Sequence, residues 1–390
     1  MSRFALALSL AAVPALVSMA APRTTLAARS DAMHAVRMAD QHSWVVDQTT
    51  GKAFRVAHNA HVGRYASISP SGLNPAAIKS VYSFTTSLSA GAGQTIAIVD
   101  AYDDPTAESD LGTFSQKYGL PACTTANGCF TKVSQSGGST RKLRTDGGWA
   151  LEIALDIEWA HAIAPGARIL LVEAATNSFA NLMAAEDYAK AHAPYVSNSW
   201  GGSEFAGESS YDAHFVQSGV SFFVSLGDSG TPAQWPSASP NVISVGGTTL
   251  NNIGTPSFSE TGWSSGGGGC SAYEAANAAQ ASFSQYVQVN CGGQRATPDV
   301  ALDADPSSGV SVYDSTPYQG QTGWFSVGGT SASSPMWAAH SADSGQVVNA
   351  AAVYGTNITY RDIIAGNNGN SCLAGYDLVT GRGSWTGSTP

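Results

Sequence analysis

From residue 95 onward, short apolar runs alternate with segments of helical period. "TIAIVDA" (95–101), "RILLVEA" (168–174), "YVSNSW" (195–200), "GVSFFVSLGD" (219–228), "NVISVGG" (241–247) and "WFSVGG" (324–329) read as strands. Helical patterns fall at about 148–162, 178–191 and 208–217, and a further helix starts after Ser331. Short, β-branched, almost fully apolar strands alternating with helices predict an α/β fold: a mostly parallel central sheet with helices on both faces. In such sheets the working residues collect at the carboxyl ends of strands. Asp100, Asp228 and Ser331 all fall there. Residues 252–297, rich in Gly, Ser, Ala and Asn without a period, predict long surface loops. Two copies of Val-Gly-Gly-Thr, at 245–248 and 327–330, are too isolated to make a repeat.

The ends and the charge add to this picture. Arg3 is followed by "FALALSLAAVPALVSMA", which closes on the small-x-small triplet Ser18-Met19-Ala20. That pattern predicts a secretory signal peptide over residues 1–20. No other apolar run is long enough to cross a bilayer, so an exported protein free of the membrane after signal cleavage is expected. Residues 21–79 carry seven Lys/Arg against three Asp, and residues 80–390 carry ten basic against twenty-five acidic groups. A basic leader on an acidic body suits a pro-segment docked by electrostatics and, equally, a poorly ordered leader. So acidic a body excludes nucleic acid as a partner. Charged residues make up only 12% of the chain, so protonating carboxylates would cost few ion pairs. Five cysteines suit an oxidising compartment. Cys123 and Cys129 flank a short loop that a disulfide can close, and Cys270 and Cys291 bracket a Gly-rich insertion. Cys372 is left over, as a free thiol or a partner in another connectivity.

Four carboxyl and hydroxyl groups carry the candidate chemistry. Ser331 follows Gly-Gly-Thr at the start of a helix, where orphan N–H groups favour negative charge. The position suits an exposed nucleophile and, equally, a plain N-cap. No histidine supplies an obvious base: His34, His42, His58 and His61 lie in the leader, and the other four lie in or beside helices without a glycine-flanked motif. In "DGGWALEIALDIEWAHAIAPGA" (146–167), Glu152 and Asp156 stand four apart and share one helix face, while Glu158 points elsewhere. Such a pair in an apolar helix either shares a proton, as an acid/base pair does, or marks a solvated face. Asp228, in "SLGDSG", is an Asx-turn residue or a protonated hydrogen-bond donor to an oxyanion.

Together with "SNSWGG" (197–202), "TPDVAL" (297–302) and "GGTSASSP" (328–335), these motifs resemble the sedolisin family of serine-carboxyl peptidases, with matches from about residue 72 to the C-terminus. The resemblance implies a subtilisin-like fold and a secreted, acid-acting endopeptidase on polypeptide substrates, monomeric, with Ser331 as nucleophile and Glu152 as general base. Asp156 would orient Glu152, and Asp228 would supply the oxyanion donor. Ser199, Trp200 and Gly201 would offer a strand edge to an extended substrate. One Ca²⁺ ion is also implied, held by the Asp362 and Asp377 carboxylates and the Ile363 and Gly375 carbonyls. On this reading residues 21–71 are a short leader and 72–390 the catalytic domain. Four features depart from the family pattern: the short leader, Leu373 where a glycine is usual, the polar His340, Ser341, Asp343 and Ser344 in the helix after Pro335, and Cys372 without an obvious partner in the calcium-loop region. They keep open a second reading, a non-catalytic relative that binds peptides or proteins.

Overall fold

The computed structural model describes residues 61–386, together with the strands Val36–Arg37, Ser43–Val46 and Ala53–His58 of the leader. The segment expected to be a signal peptide lies outside the described residues. Eight strands form the central sheet: β1 (Thr95–Ala101), β2 (Phe130–Ser134), β3 (Arg168–Ala174), β4 (Tyr195–Asn198), β5 (Ser221–Ser225), β6 (Ile243–Asn251), β7 (Ser259–Gly262) and β8 (Val300–Asp303). Their order is β2-β3-β1-β4-β5-β6-β7, with β8 also on β6. All pairings are parallel except β6 with β7. Three helices position the site: α1 (Gly147–Ile163), α2 (Phe179–His192) and α3 (Thr330–Ser344).

Helices cover both faces, because successive strand residues point to opposite sides. Ile96 and Ile98 of β1 join the core that holds Leu151 and Ile153 of α1. Ala97 and Val99 join a second core with Leu182 and Met183 of α2. The predicted α/β sheet is therefore the observed one.

Several expectations need correction. "WFSVGG" is a strand, but Gln321–Gly328 lies outside the parallel sheet, antiparallel to Val310–Tyr318. A two-residue turn with positive φ at Gln319 and Gly320 returns the chain directly, so the pair closes as a hairpin. Residues 252–297 are not all loop. They contain β7, the paired strands Gly269–Ala275 and Gln294–Thr297, and the helix Ala278–Ser282, with a Cys270–Cys291 disulfide across the insertion. The turn between β7 and the Gly269–Ala275 strand packs closely on the sheet because it is built of glycines: a Cβ on Gly267 would meet the Leu226 carbonyl oxygen at 2.6 Å. The segment expected to be helical at 208–217 is a 3₁₀ stretch, Glu208–Phe215. Cys123 and Cys129 form the other disulfide, and Cys372 is free and buried.

The polar residues after Pro335 do not break α3. His340 packs 4.2 Å from the Phe84 ring and 4.0 Å from the Trp385 ring, centroid to centroid. Asp343 accepts from Gly91 N–H, and Ser344 donates back to the Ser341 carbonyl. Beneath β6, the buried Arg295 grips Asp299 of "TPDVAL" through both guanidinium nitrogens, at 2.6 and 2.5 Å. The second Asp299 oxygen also takes Ser244 N–H, which ties the motif to the sheet.

Candidate active site

The helix α1 is buried along its whole length from Gly148 to Ile163, as expected of a helix that is apolar all round. Asp146 starts it by accepting from Gly148 and Trp149 N–H. Glu152 and Asp156 are both 0% exposed, which rules out a solvated face. Asp100, at the end of β1, is a third buried carboxyl in the same patch. Burial pushes the Asp156 carboxyl well above its usual range, Glu152 adds to the rise, and a hydrogen bond from Ser199 opposes it. Burial also raises Asp100, with Asp156, Glu152 and Glu173 adding to it. Carboxyls so placed hold protons between them rather than a full set of charges. Glu158 is turned away, as its spacing predicted, and accepts from Tyr313 N–H at 3.0 Å.

Ser331 is the second residue of α3. The N-cap is Gly329, whose φ of 112° only glycine adopts readily, so the serine is not there to cap. Its Oγ lies 3.5 Å from the Ser199 carbonyl, and Ser199 Oγ lies 3.4 Å from the Ser331 carbonyl. A second tie, Ser197 Oγ to Ser334 Oγ at 2.9 Å, fixes α3 on β4. Because α1 also packs against α3, the structure brings Glu152, Asp156, Ser199 and Ser331 to one end of the sheet. Asp228 belongs there too. Its Oδ1 accepts from Thr330 N–H at 2.9 Å and from Thr330 Oγ at 2.8 Å, a partner 102 residues along the chain rather than its own turn. Gly227 N–H closes this ring on Thr330 Oγ.

"SNSWGG" is not one strand. Ser199 breaks it, and Trp200–Ser203 forms a separate strand flanked by Gln234–Trp235 and by Ala53–His58 of the leader. Ala57 pairs with Gly201 and His58 with Trp200, antiparallel. The leader's next strand, His61–Ser67, pairs with Gln321–Gly328, with Val62 opposite Val327. Between the two, His61 Nε2 reaches Asp228 Oδ2 at 2.8 Å. Nothing in the leader's composition signals this contact, which joins residues far apart in sequence. Of the other described histidines, His161 bonds the Pro121 carbonyl, His192 the Tyr188 carbonyl, and His214 pairs with Asp187, so none is bonded to Ser331.

Near the C-terminus, Asp362 Oδ2 accepts from Gly375 N–H at 2.8 Å. Asp377 is fully buried and accepts from Leu373, Val379 and Thr380 N–H. Ile363 is buried against Cys372 and Val379. Asp362 and Gly375 thus meet across two loops, with Ile363 beside them, and burial raises the Asp377 carboxyl.

Comparison with known proteins agrees with this arrangement. A sequence profile of the subtilase family matches residues 146–371, from the cap of α1 to the last loop. Kumamolisin of Bacillus sp. (strain MN-32) is 30% identical over 374 residues, which cover 85% of this chain and 65% of kumamolisin. Sedolisin of Pseudomonas sp. (strain 101) is 32% identical over 206 residues, 43% of this chain and 33% of that protein. The chain thus spans less than two thirds of the length of these relatives. The solved structure of Pseudomonas sedolisin, a serine-carboxyl proteinase complexed with two molecules of pseudo-iodotyrostatin, superposes with a TM-score of 0.68 at 26% identity, covering 81% of this chain and 96% of that one. With the profile spanning more than half of the chain and the sedolisin structure sharing its sheet and helices, the protein belongs to the subtilase family, in its sedolisin branch.

Proposed function

We propose that the protein is a secreted serine-carboxyl endopeptidase that works in acid. The observation that carries the reading is the buried carboxyl pair Glu152 and Asp156 on the helix packed against α3, whose first turn holds Ser331. Ser331 Oγ attacks the carbonyl carbon of the scissile bond and gives its proton to Glu152. Asp156 holds and orients Glu152 and shares its proton load. The developing oxyanion takes a hydrogen bond from Asp228, which donates only when protonated. As the C–N bond breaks, Glu152 returns the proton to the leaving amine. Water, deprotonated by Glu152, then hydrolyses the acyl-enzyme and regenerates Ser331. A protonated aspartic donor requires low pH, while a carboxylate is a weak base that serves best close to its own titration range, which lies on the acid side for a carboxyl group.

Ca²⁺ fits the C-terminal loops. Their donor set is oxygen only, and neither Asp362 nor Asp377 pairs with a Lys or Arg among the described residues. The ion, when bound by Asp362, Ile363, Gly375 and Asp377, would supply charge neutralisation and a clamp on these loops. Among the described residues no helix is long and apolar enough to cross a membrane.

The test is hydrolysis of an unfolded protein substrate by the secreted chain from roughly pH 3 to pH 8. Cleavage confined to the acid half and lost in Ser331→Ala is the expected result. No cleavage at any pH from folded protein would leave the peptide-binding reading in its place.

The leader lies along the strand edge proposed for substrate, with His61 at the Asp228 oxygen. It must leave before substrate enters. A hydrogen bond of this kind contributes about 0.5–1.5 kcal/mol. His61→Ala is therefore expected to shorten the lag before activity appears after a shift to acid by up to roughly tenfold. A progress curve with an unaltered lag would show that the contact does not hold the leader.

A further inference from the structure

We propose that Gln234 sets the side chain accepted on the acyl side of the scissile bond, favouring a carboxamide there; this rests on the peptidase reading above. Gln234 lies on the short strand that pairs antiparallel with Trp200–Ser203, opposite Ser203. Its side chain reaches inward. A Cβ added to Gly227 would strike Gln234 Oε1, with Cδ at 2.6 Å and Nε2 at 2.8 Å. The nearest side-chain atom to a Cβ on Gly201 is the same Oε1, at 3.5 Å. The amide therefore spans the gap between two glycines, one on the proposed substrate edge and one immediately before Asp228.

A bound substrate has little choice about that gap. Its carbonyl carbon must meet Ser331 Oγ and its carbonyl oxygen must turn to Asp228, while the main chain before it runs along Trp200–Ser203. The side chain of the residue that carries this carbonyl then falls between Gly201 and Gly227, onto Gln234. Glycine on both walls leaves the gap flat, so the glutamine decides its depth and polarity. Gln234 is only partly buried, and its amide makes no hydrogen bond to a described residue. It offers one acceptor and two donors to whatever enters. A substrate glutamine or asparagine satisfies both, whereas a phenylalanine shortens against the amide and leaves it unpaired and desolvated.

Two peptides that differ only in glutamine or phenylalanine before the scissile bond, cleaved in acid by the full secreted chain, test the assignment. The expected kcat/KM favours glutamine by roughly tenfold, and Gln234→Ala inverts the preference by opening the gap and removing the amide. Gln234→Asn, which keeps the amide but shortens its arm, moves the ratio in the same direction, so the test does not depend on the alanine variant folding. If both variants cleave with the wild-type ratio, Gln234 is not the selecting residue and the peptidase reading stands. If the wild type cleaves neither peptide and no protein substrate, the peptidase reading falls and this assignment with it.

Discussion

Glu152→Gln is expected to lower kcat by roughly four orders of magnitude without unfolding the protein. Glutamine has the shape of glutamate and can keep its hydrogen bonds, but it cannot take the proton from Ser331 Oγ. The neighbouring acids do not replace it, because Asp156 is one helical turn away and Asp100 sits on β1, behind the pair. Asp156→Asn is expected to cost less, roughly 100-fold, since it removes the group that orients the base and not the base itself. Single-turnover kinetics in acid measures both. The thermal midpoint of Glu152→Gln is expected to equal or exceed the wild-type value, because three buried carboxyls become two. A Glu152→Gln protein that keeps more than about one-hundredth of wild-type kcat would remove Glu152 from the role of base.

The parts of this site that the sequence revealed are those carried by local spacing. The four-residue interval from Glu152 to Asp156, in a helix with few other charges, announced a shared face. The Gly-Gly-Thr-Ser turn announced a strand running into a helix. β1 and β3 matched their predicted bounds because an unbroken apolar run fills the middle of each, Ile96–Val99 and Ile169–Val172, and is buried on both faces. What stayed hidden depends on long-range pairing. Phe130–Ser134 is an edge strand with an exposed Thr131, so its pattern is diluted. Gln321–Gly328 reads locally like a parallel-sheet strand, and only its hairpin partner places it elsewhere. Thr330 as the holder of Asp228, and His61 as its visitor, join segments 102 or more residues apart. No local period encodes such a contact.

Stability should fall as pH rises from acid to neutral, the reverse of most proteins, and by at least about 4 kcal/mol between pH 5 and pH 8. The cause is a cluster of buried acids whose carboxyl groups form no ion pair with a Lys or Arg among the described residues; Lys132, close by, pairs with Asp103 instead. Asp104, Asp110, Glu158 and Asp314 face one another where the helix Ala107–Tyr118 and α1 meet the Val310–Tyr318 strand. Their partners are hydroxyls and backbone N–H groups: Thr106 and Thr316 on Asp104, Ser315 on Asp110, Tyr313 on Glu158 and Thr316 on Asp314. Burial, reinforced by Asp110, pushes Asp104 up to about 6 even against its hydrogen bonds. Burial and then Asp104 push Asp314 up to about 9, and burial raises Glu158 well above its usual range. Beside this cluster, burial takes Glu173, which accepts from Asp104 N–H at 3.0 Å, to about 9 even though Lys132 opposes it.

The sign follows from proton counting. Asp104, Asp314, Glu158 and Glu173 each titrate near pH 4 once unfolded. The folded state therefore binds more protons through the window from about pH 4 up to the folded values, and raising pH favours unfolding. Below about pH 4 both states are protonated and the full stability is present. One group works the other way. His340, buried between Phe84 and Trp385, is held down to about 3 by burial, so it costs stability as pH falls below its unfolded value of about 6.5. One histidine gives about 1.4 kcal/mol per pH unit, whereas Asp314 and Glu173 together give up to about twice that in the opposite sense, and Glu158 acts in the same direction. The acids win, and the stability maximum lies in acid. Urea unfolding at several pH values measures the slope. Asp314→Asn, which can still accept from Thr316 N–H, is expected to reduce it by up to about 1.4 kcal/mol per pH unit above pH 5. His340→Leu should leave the alkaline side unchanged and raise stability only on the acid side. A wild-type stability that is flat or rises from pH 5 to pH 8 would mean that these carboxyls find charge partners in solution. A fold that holds together best with its buried acids protonated fits a site whose base and oxyanion donor are themselves carboxyl groups, since one range of pH serves both.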